Sequence, residues 1–229
     1  MTKKTAYKKE KMSAGRILRV RKKEMLLVIL GAVLIFSALF LISYNKLEDF
    51  RAGQAGKRML AELDPSLFDA DPAKYFGNLA LSGEKEASAG KGSSWGFDPE
   101  SAAIFFEKYP CAGILNIPNL ELTLPVWSEW NYDKLKSAPC VHFGSVEDEN
   151  LVIAAHNYSS HFGRLKELEA GDEIRFWSKD GSCLDYSVSQ VTVVKPSDVK
   201  KIKNSGYALV LYTCTPGGKS RVAVYCTLF

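Results

Sequence analysis

The hydrophobic and polar positions divide the chain into an apolar stretch near its start and a longer patterned region towards its end. Residues 25–44 form a run of twenty residues without a charged side chain. At about 1.5 Å per residue, a helix of this length spans the roughly 30 Å hydrocarbon core of a bilayer. From residue 111 onward, short runs rich in β-branched and aromatic residues recur between turn residues. The pattern therefore predicts one long apolar helix followed by a mainly β domain.

Seven candidate strands follow from the alternation and the turn signals. They are residues 112–117, 121–126, 151–155, 173–177, 184–194, 208–213 and 221–228. Two helical interruptions are predicted at 162–168 and 197–203, with Ser197 as the candidate N-cap of the second. The 119 residues 111–229 suffice for one core and show no internal repeat. A single closed or nearly closed β-barrel is therefore the most economical architecture.

Residues 45–110 combine a helical start with a polar linker. Residues 46–63 are predicted to continue as a helix, either as a stalk or as a packed cover. The apolar positions of this helix are Leu47, Phe50, Met59, Leu60 and Leu63. Residues 64–99 are rich in Pro, Gly, Ser and Ala, which is typical of a linker. A short helix is expected at 99–109, with a proline near its first turn.

Charge changes the interpretation of residues 1–24. They carry ten Lys and Arg against two Asp and Glu, a net +8, whereas the whole chain carries +4. Residues 25–229 are therefore net −4, which gives no indication of nucleic-acid binding. Because basic residues mark the cytoplasmic side of a span, we expect a cytoplasmic tail, an uncleaved single-pass anchor at 25–44 and an extracellular remainder. A cleaved signal peptide is disfavoured, because its apolar run would cover only about 7 to 15 residues and end in small residues.

Candidate chemistry centres on Cys214, at the end of the predicted strand 208–213. A Pro-Gly-Gly turn at 216–218 separates it from the returning strand, which begins at Arg221. Residues that flank a short hairpin loop face each other, so Arg221 is expected beside Cys214. A neighbouring cation favours the thiolate, the reactive form of cysteine. The alternative is that Cys214 is a small buried core residue.

His156 is the second candidate, since it lies where the apolar strand 151–155 ends in a polar loop. A purely structural histidine is the alternative. His161 lies in the loop 158–162, where mobility makes it a poorer base, and His142 lies in a connection. The chain has no CxxC or HExxH pattern, so no metal site is expected. Its five cysteines, an odd number, leave at least one thiol unpaired outside the cell.

Taken together, these motifs resemble the sortase family of cell-surface transpeptidases. The residues that carry the resemblance are Ala-His-Asn at 155–157, Phe-Gly-Arg-Leu at 162–165, Gly-Asp at 171–172, Leu-Tyr-Thr-Cys at 211–214 with Arg221, and the upstream segments 113–118 and 124–126. The resemblance covers roughly residues 112–229 and implies an eight-stranded β-barrel with short helices, preceded by an N-terminal transmembrane helix. Many sortases have Gly where this chain has Ala155. The subclass stays open, because 156–157 resemble class B whereas 165–172 and 194–198 are closer to classes A and D.

The resemblance implies a cysteine transpeptidase with Cys214, His156 and Arg221 as catalytic residues and Thr213 and Asn157 as substrate or oxyanion support. The expected substrates are secreted proteins with a C-terminal sorting motif of the LPxTG type. The expected acceptor is the amine of a peptidoglycan precursor or cross-bridge. No metal or organic cofactor is required. The protein is expected in the cell membrane of a Gram-positive bacterium, with its catalytic domain, residues 111–229, outside the cell.

Two other functions stay open. A membrane-anchored cysteine peptidase uses the same Cys–His pair but hands the acyl group to water. A non-catalytic surface-binding barrel would keep Cys214 and Arg221 only as core and rim residues. The products of the reaction distinguish the transpeptidase, the peptidase and the non-catalytic barrel, whereas the sequence leaves all three open.

Overall fold

The computed structural model describes residues 3–63 and 99–229, and the chain divides between Glu48 and Asp49 into two units. The predicted linker at 64–99 lies outside the described residues, apart from Pro99. The first unit is helical as far as it is described, and the second contains the β domain.

Helix α1 spans Lys3–Leu63, so it begins within the basic segment and continues through the apolar stretch. The large apolar side chains of residues 25–44 are exposed, with Val28 and Phe36 each at 72%. By length and composition this stretch can cross a membrane, as the sequence predicts.

The second unit is built around a closed barrel of eight strands. The strands are β1 Cys111–Ile117, β2 Leu122–Trp127, β3 Cys140–Phe143, β4 Leu151–Ala155, β5 Glu173–Ser178, β6 Cys183–Val194, β7 Leu209–Cys214 and β8 Arg221–Leu228. Around the barrel they follow the order β1-β2-β3-β4-β7-β8-β6-β5. The pairs β2–β3 and β4–β7 are parallel and the others are antiparallel. The expected eight-stranded barrel is thereby confirmed.

Seven of these strands match the segments predicted from the sequence to within one residue at each end, but β3 does not appear among them. His142, expected in a connection, lies on this strand. The strand has four residues and a register shift between Val141 and Phe143, so no regular alternation marks it in the sequence. The prediction for His142 was therefore wrong because β3 is too short and irregular to produce a period of two.

The barrel interior holds the main hydrophobic core, to which all eight strands contribute. The alternation along β7 shows how the two faces are used. Leu209 and Leu211 belong to the interior core, whereas Val210 and Tyr212 belong to a second cluster on the outer surface. The side chain two residues after Tyr212 therefore also lies on the outer surface, and that residue is Cys214.

Short helices complete the second unit. Helix α2 spans Pro99–Lys108, close to its predicted position, and the predicted helix at 162–168 is a 3-10 turn at Leu165–Glu167. In place of the helix predicted at 197–203, a 3-10 turn at Pro196–Asp198 leads into helix α3, Val199–Ile202. The prediction that Ser197 caps this helix was wrong. Proline at the first helical position starts the turn earlier, so Ser197 lies inside it and Asp198 is the residue before α3.

The last part of α1, residues 49–63, belongs to the second unit and packs on the barrel domain. Its buried apolar side chains are Ala52, Met59, Leu60 and Leu63. The last three share a cluster with Phe105 of α2 and Trp177 of β5. Leu47 and Phe50, by contrast, are exposed. Of the two interpretations of this segment, stalk or packed cover, the structure has the packed cover.

Candidate active site

Strands β4 and β7 run parallel, so their carboxyl ends lie side by side. Their Cα partners continue in register as far as Ala155 and Thr213, and the Thr213 hydroxyl donates a 2.8 Å hydrogen bond to the Ala155 carbonyl. The next residues along the chain are His156 after β4 and Cys214 at the end of β7. Because paired strands lie about 4.8 Å apart, His156 and Cys214 are neighbours at the end of this ladder.

The hairpin between β7 and β8 brings Arg221 to the same place. Cys214 pairs directly with Arg221 across the antiparallel ladder, as the sequence predicts. The turn at 215–220 contains Gly217 and Gly218 with φ angles of 79° and 71°, a region that glycine adopts without the strain of a Cβ atom. A tight reversal at these two glycines therefore allows the last residue of β7 and the first residue of β8 to face each other.

Arg221 is held by the turn that it follows. Its Nη1 donates hydrogen bonds of 2.9 Å to the carbonyls of both Gly218 and Ser220. Its Nε and Nη2 make no hydrogen bond to the residues that the structure describes. The guanidinium is thus anchored through one nitrogen and keeps further N–H groups for another acceptor.

His156, Cys214 and Arg221 face the same outer side of the barrel. Ala154 and Tyr212, two residues before His156 and Cys214, belong to the outer cluster, and side chains alternate along a strand. All three predicted catalytic residues are half-buried, so they combine a fixed position with access to solvent. The fold therefore brings them together at one end of the β4, β7 and β8 strands.

The two predicted supporting residues, Thr213 and Asn157, differ in their exposure to solvent. Thr213 is 3% exposed, and its hydroxyl joins β7 to β4 through Ala155. Asn157 follows His156 and is exposed. The side chain of Thr213 therefore points away from the outer face and holds together the two strand ends that carry His156 and Cys214.

Two tyrosines flank the ring of His156. The ring centroids of Tyr158 and Tyr132 lie 5.0 Å and 6.1 Å from that of His156, the second in an edge-on arrangement. Burial, together with the positive charge of Lys136, lowers the pKa of His156 below its ordinary value. The imidazole is therefore mainly neutral at neutral pH and able to accept a proton.

The sequence interpretation missed a hydrogen-bonded pair on the same outer face, His142 and Tyr212. The Tyr212 hydroxyl lies 2.5 Å from Nδ1 of His142, and the ring of Trp130 lies 4.4 Å from the His142 ring. Burial raises the pKa of Tyr212 and lowers that of His142, so a neutral phenol and a neutral imidazole share this hydrogen bond at neutral pH. The position of Tyr212, two residues before Cys214, was the available signal for a shared face.

His161 is fully buried, contrary to the expectation of a mobile loop. It is 0% exposed, and its amide donates a 3.0 Å hydrogen bond to the Tyr158 carbonyl. Neither ring nitrogen makes a well-formed hydrogen bond to the described residues. The nearby Ser137 backbone raises the pKa of His161, but this effect is smaller than that of burial. Burial lowers the pKa of His161 to about 4. His161 is a poor base for this reason, and not because of mobility.

Acid should destabilise the protein through His161. Its pKa is 6.5 in the unfolded chain and about 4 in the folded protein, so the unfolded chain binds the proton first as the pH falls. The full stability is therefore present above about pH 6.5 and is lost towards pH 4, by roughly 3 kcal/mol for this group. Urea unfolding of the full-length chain in detergent micelles, at pH 7.5 and pH 5, measures the loss. His161→Gln should show a smaller difference between the two pH values, and an unchanged difference contradicts the assignment.

The five cysteines are free thiols with different surroundings. Cys214 and Cys183 are half-buried and the other three are buried. Burial raises the pKa of Cys111, Cys183 and Cys226 to about 12, and that of Cys140 above its ordinary value. The four thiols other than Cys214 therefore carry little thiolate at neutral pH.

Iodoacetamide should label Cys214 first, at least about tenfold faster than any other cysteine, because alkylation requires an accessible thiolate. Peptide mapping of the full-length chain by mass spectrometry, after short reaction times at pH 7.5, measures the order of labelling. Cys183 provides the internal control, since it is also half-buried. Faster labelling of Cys183 than of Cys214 would undermine the assignment of the nucleophile.

Metal ligands do not gather at this site. Within residues 3–63 and 99–229, no group of three His, Cys, Asp or Glu side chains is arranged to hold an ion. The three histidines instead contact tyrosine rings, His142 that of Tyr212 and both His156 and His161 that of Tyr158.

Residues 115–229 match the family model described as Sortase domain, which is half of the chain. No curated protein sequence matches the chain.

Several solved structures resemble the chain. One is sortase C of Clostridium perfringens with the C-terminal cell wall sorting motif, at 25% identity, 52% of this chain, 70% of that chain and a TM-score of 0.45. Another is the sortase D5 transpeptidase of Clostridium perfringens, at 21% identity, 58% of this chain, 89% of that chain and a TM-score of 0.48. A third is sortase A of Listeria monocytogenes, at 21% identity, 52% of this chain, 88% of that chain and a TM-score of 0.47.

Proposed function

Because the chain belongs to the sortase family, we propose that it is a cysteine transpeptidase that cleaves a C-terminal sorting motif of secreted proteins and joins them to a cell-wall amine. One observation carries the proposal, the register of β4, β7 and β8. It leaves His156, Cys214 and Arg221 side by side on the outer face, half-buried and open to a substrate. A nucleophile, a base and a fixed cation within one such group are what acyl transfer requires.

The first step forms a thioester. The Cys214 sulfur attacks the carbonyl carbon of a threonine-like residue in a motif of the LPxTG type, and its proton passes to His156. The C–N bond of the tetrahedral intermediate then breaks, and His156 gives the proton to the departing amine. The lowered pKa of His156 supports this order, since a neutral imidazole accepts the thiol proton and the imidazolium then releases it readily.

The second step transfers the acyl group. The amine of a peptidoglycan precursor or cross-bridge attacks the thioester carbonyl, and His156 removes one proton from it. The C–S bond then breaks and His156 returns the proton to the sulfur, which leaves the new amide, the Cys214 thiol and a neutral imidazole. A membrane-anchored peptidase would follow the same first step and use water in the second, so the nature of the acceptor distinguishes the two functions.

Arg221 stabilises the charge that develops on the substrate carbonyl oxygen in both steps. It is permanently charged, and only Nη1 is occupied by the turn carbonyls, so Nε and Nη2 can donate to the oxyanion. Thr213 supports the site by holding β7 to β4, and Asn157, exposed next to His156, is assigned to substrate contact.

We assign residues 25–44 as the membrane anchor of this enzyme. The net +8 of residues 1–24 places that end in the cytoplasm and the domain 111–229 outside the cell. Residues 45–110 then also lie outside the cell. A single-pass protein of this orientation presents its active site where secreted substrates and cell-wall precursors meet.

Product analysis tests the proposed function. The purified full-length chain, in detergent micelles, is incubated with a library of LPxTG-type peptides, with and without triglycine as the amine, and the products are identified by mass spectrometry. We expect an acyl-enzyme adduct on Cys214 and an amide product that dominates when the amine is present. A free acid at the same rate with and without the amine would indicate a peptidase. No adduct and no cleavage across the library would indicate a non-catalytic barrel.

His156→Ala serves as the control for the proton-transfer role. It should lower acylation by about 10²- to 10⁴-fold at pH 7.5, the range that a positioned general acid–base contributes. His142→Ala is the matched variant, because His142 lies on the same outer face but bonds to Tyr212. Equal losses in the two variants would contradict the assignment of His156 as the proton carrier.

A further inference from the structure

The carboxylate of Asp49 binds the loop that follows His156. Asp49 is the first residue of the α1 segment 49–63, which packs on the barrel domain. Asp49 Oδ2 accepts hydrogen bonds from the amide (3.1 Å) and the hydroxyl of Ser159, and Oδ1 accepts them from the amide (2.9 Å) and the hydroxyl (2.6 Å) of Ser160. The Ser160 hydroxyl also lies 2.9 Å from the Asp49 carbonyl. One side chain therefore binds two consecutive residues of the loop through both backbone and side-chain donors.

The chemistry of Asp49 supports a fixed, charged contact. Although burial opposes it, the hydrogen bonds from Ser159 and Ser160 hold the pKa of Asp49 below its ordinary value. Charge-assisted hydrogen bonds to a carboxylate are shorter and stronger than neutral ones. The carboxylate is therefore ionised at neutral pH, and replacing it would leave several donors without their acceptor.

A glycine one turn further along the helix lets it approach the loop closely. A Cβ atom at Gly53 would lie 2.9 Å from the Ser160 Cβ, closer than real Cβ atoms come. Ala52 and Gly56, on either side of Gly53, are buried. The helix and the Ser160 side chain therefore meet at a distance that a larger residue at position 53 would not permit without a shift.

The loop is itself a closed turn that connects this contact to His156. The amides of His161 and Gly163 donate to the Tyr158 carbonyl at 3.0 and 2.8 Å, and the Phe162 amide donates to the His156 carbonyl at 3.2 Å. The Tyr158 ring packs against the His156 ring at 5.0 Å. A displacement of Ser159 and Ser160 would therefore move Tyr158, one of the two tyrosines that pack against the His156 ring.

We propose that Asp49 is a positioning residue for His156, acting by clamping Ser159 and Ser160 so that the loop holds the imidazole beside Cys214. The hydrogen bonds alone support the existence of the clamp. Its expected effect on turnover depends, in addition, on the proposed function. A misplacement of about 1 Å at a reacting group can cost about 10²-fold in rate, so the clamp matters for turnover although Asp49 does not touch substrate.

The same helix segment offers a matched control at its other end. Glu62 accepts hydrogen bonds from Lys108 (2.5 Å) and from the Tyr109 hydroxyl (2.9 Å). Lys108 is the last residue of α2 and Tyr109 follows it, so neither partner belongs to the loop after His156. Glu62→Ala therefore removes a comparable tie between α1 and the barrel domain without touching the loop.

The first experiment compares Asp49→Ala with Glu62→Ala in the full-length chain in detergent micelles. Asp49→Ala should lower kcat for acylation of an LPxTG-type peptide by about 10- to 100-fold, with KM changed by less than about threefold, since Cys214 and Arg221 are untouched. Glu62→Ala should stay within about twofold of the unmodified protein in both constants. Asp49→Glu, which keeps the carboxylate on a longer arm, should recover part of the lost kcat. Equal losses in the alanine variants, or an unchanged kcat in Asp49→Ala, would overturn the proposal.

A second experiment needs no turnover and so separates the clamp from the proposed function. Hydrogen exchange followed by mass spectrometry should show peptides covering 158–163 exchanging at least about tenfold faster in Asp49→Ala, and no such change in Glu62→Ala. If Asp49→Ala does not fold, the kinetic and hydrogen-exchange measurements are made on Asp49→Asn and Ser160→Ala instead. Unchanged exchange in a folded Asp49 variant overturns the clamp. If the unmodified chain has no transpeptidase activity but the exchange differs as expected, the proposed function fails and the clamp stands.

Discussion

Replacing Cys214 by alanine should abolish the acyl-enzyme and lower transpeptidation by at least about four orders of magnitude. The variant keeps His156 and Arg221 but has no atom that can form a covalent bond to the substrate carbonyl. Because Cys214 is half-buried and alanine is only slightly smaller, the free energy of unfolding should change by less than about 0.5 kcal/mol. Intact-mass spectrometry after incubation with an LPxTG-type peptide measures the adduct, and chemical denaturation measures the stability.

Cys183→Ala is the matched control for this experiment. Cys183 is the other half-buried cysteine, but it lies at the start of β6 next to Trp177 of β5. This variant should keep the adduct and full turnover. An adduct that persists in Cys214→Ala and disappears in Cys183→Ala would move the nucleophile to β6 and refute the proposed mechanism.

The strands were predictable because their signal is local. The bounds of β4 and β8 agree with the predicted segments at both ends, since each is a continuous apolar or alternating run that a turn interrupts. The pairing of Cys214 with Arg221 was predictable for the same reason, because a short loop forces its flanking residues to face each other. Local patterning therefore yields both the strand positions and one half of the candidate site.

The other half of the site depends on pairing between distant strands. His156 lies next to Cys214 only because β4 and β7 pair in parallel. No turn and no short spacing in the sequence indicates that these two strands pair. The adjacency followed from the family resemblance and not from the pattern of residues. The bond between His142 and Tyr212, which are 70 positions apart, was missed because the short strand β3 was not recognised.

The contact between α1 and the loop after His156 is still more remote. Asp49 and Ser159 are 110 positions apart. From the sequence alone, residue 49 is predicted only to be a charged position on a helix. The prediction that His161 is mobile failed for the same reason, since it treated the loop without the helix end that belongs to the same unit. Contacts of this kind depend on tertiary packing, which neither propensity nor periodicity encodes.

Arg221→Lys should lower the acylation rate by about two to three orders of magnitude while affecting peptide binding much less. Lysine keeps the positive charge, but it loses the planar fork that donates to the Gly218 and Ser220 carbonyls through Nη1 while Nε and Nη2 remain for the substrate oxyanion. A single ammonium group cannot hold the turn and the oxyanion in the same geometry. Single-turnover acylation by rapid-quench mass spectrometry, together with peptide affinity measured on the Cys214→Ala background, separates the two effects.

Arg175→Lys is the matched control, because Arg175 is also a strand arginine with fixed partners. It pairs with Asp185 at 2.6 Å and with Glu173 at 3.8 Å, on β5 and β6, away from the ends of β4 and β7. Its replacement by lysine should leave acylation within about twofold of the unmodified rate, since it removes only part of a surface ion-pair group. Iodoacetamide labelling of Cys214 in both variants reports whether the β7–β8 turn keeps its conformation. Near-normal acylation in a correctly folded Arg221→Lys variant would contradict the oxyanion role, because Arg221 would then serve only to brace the turn.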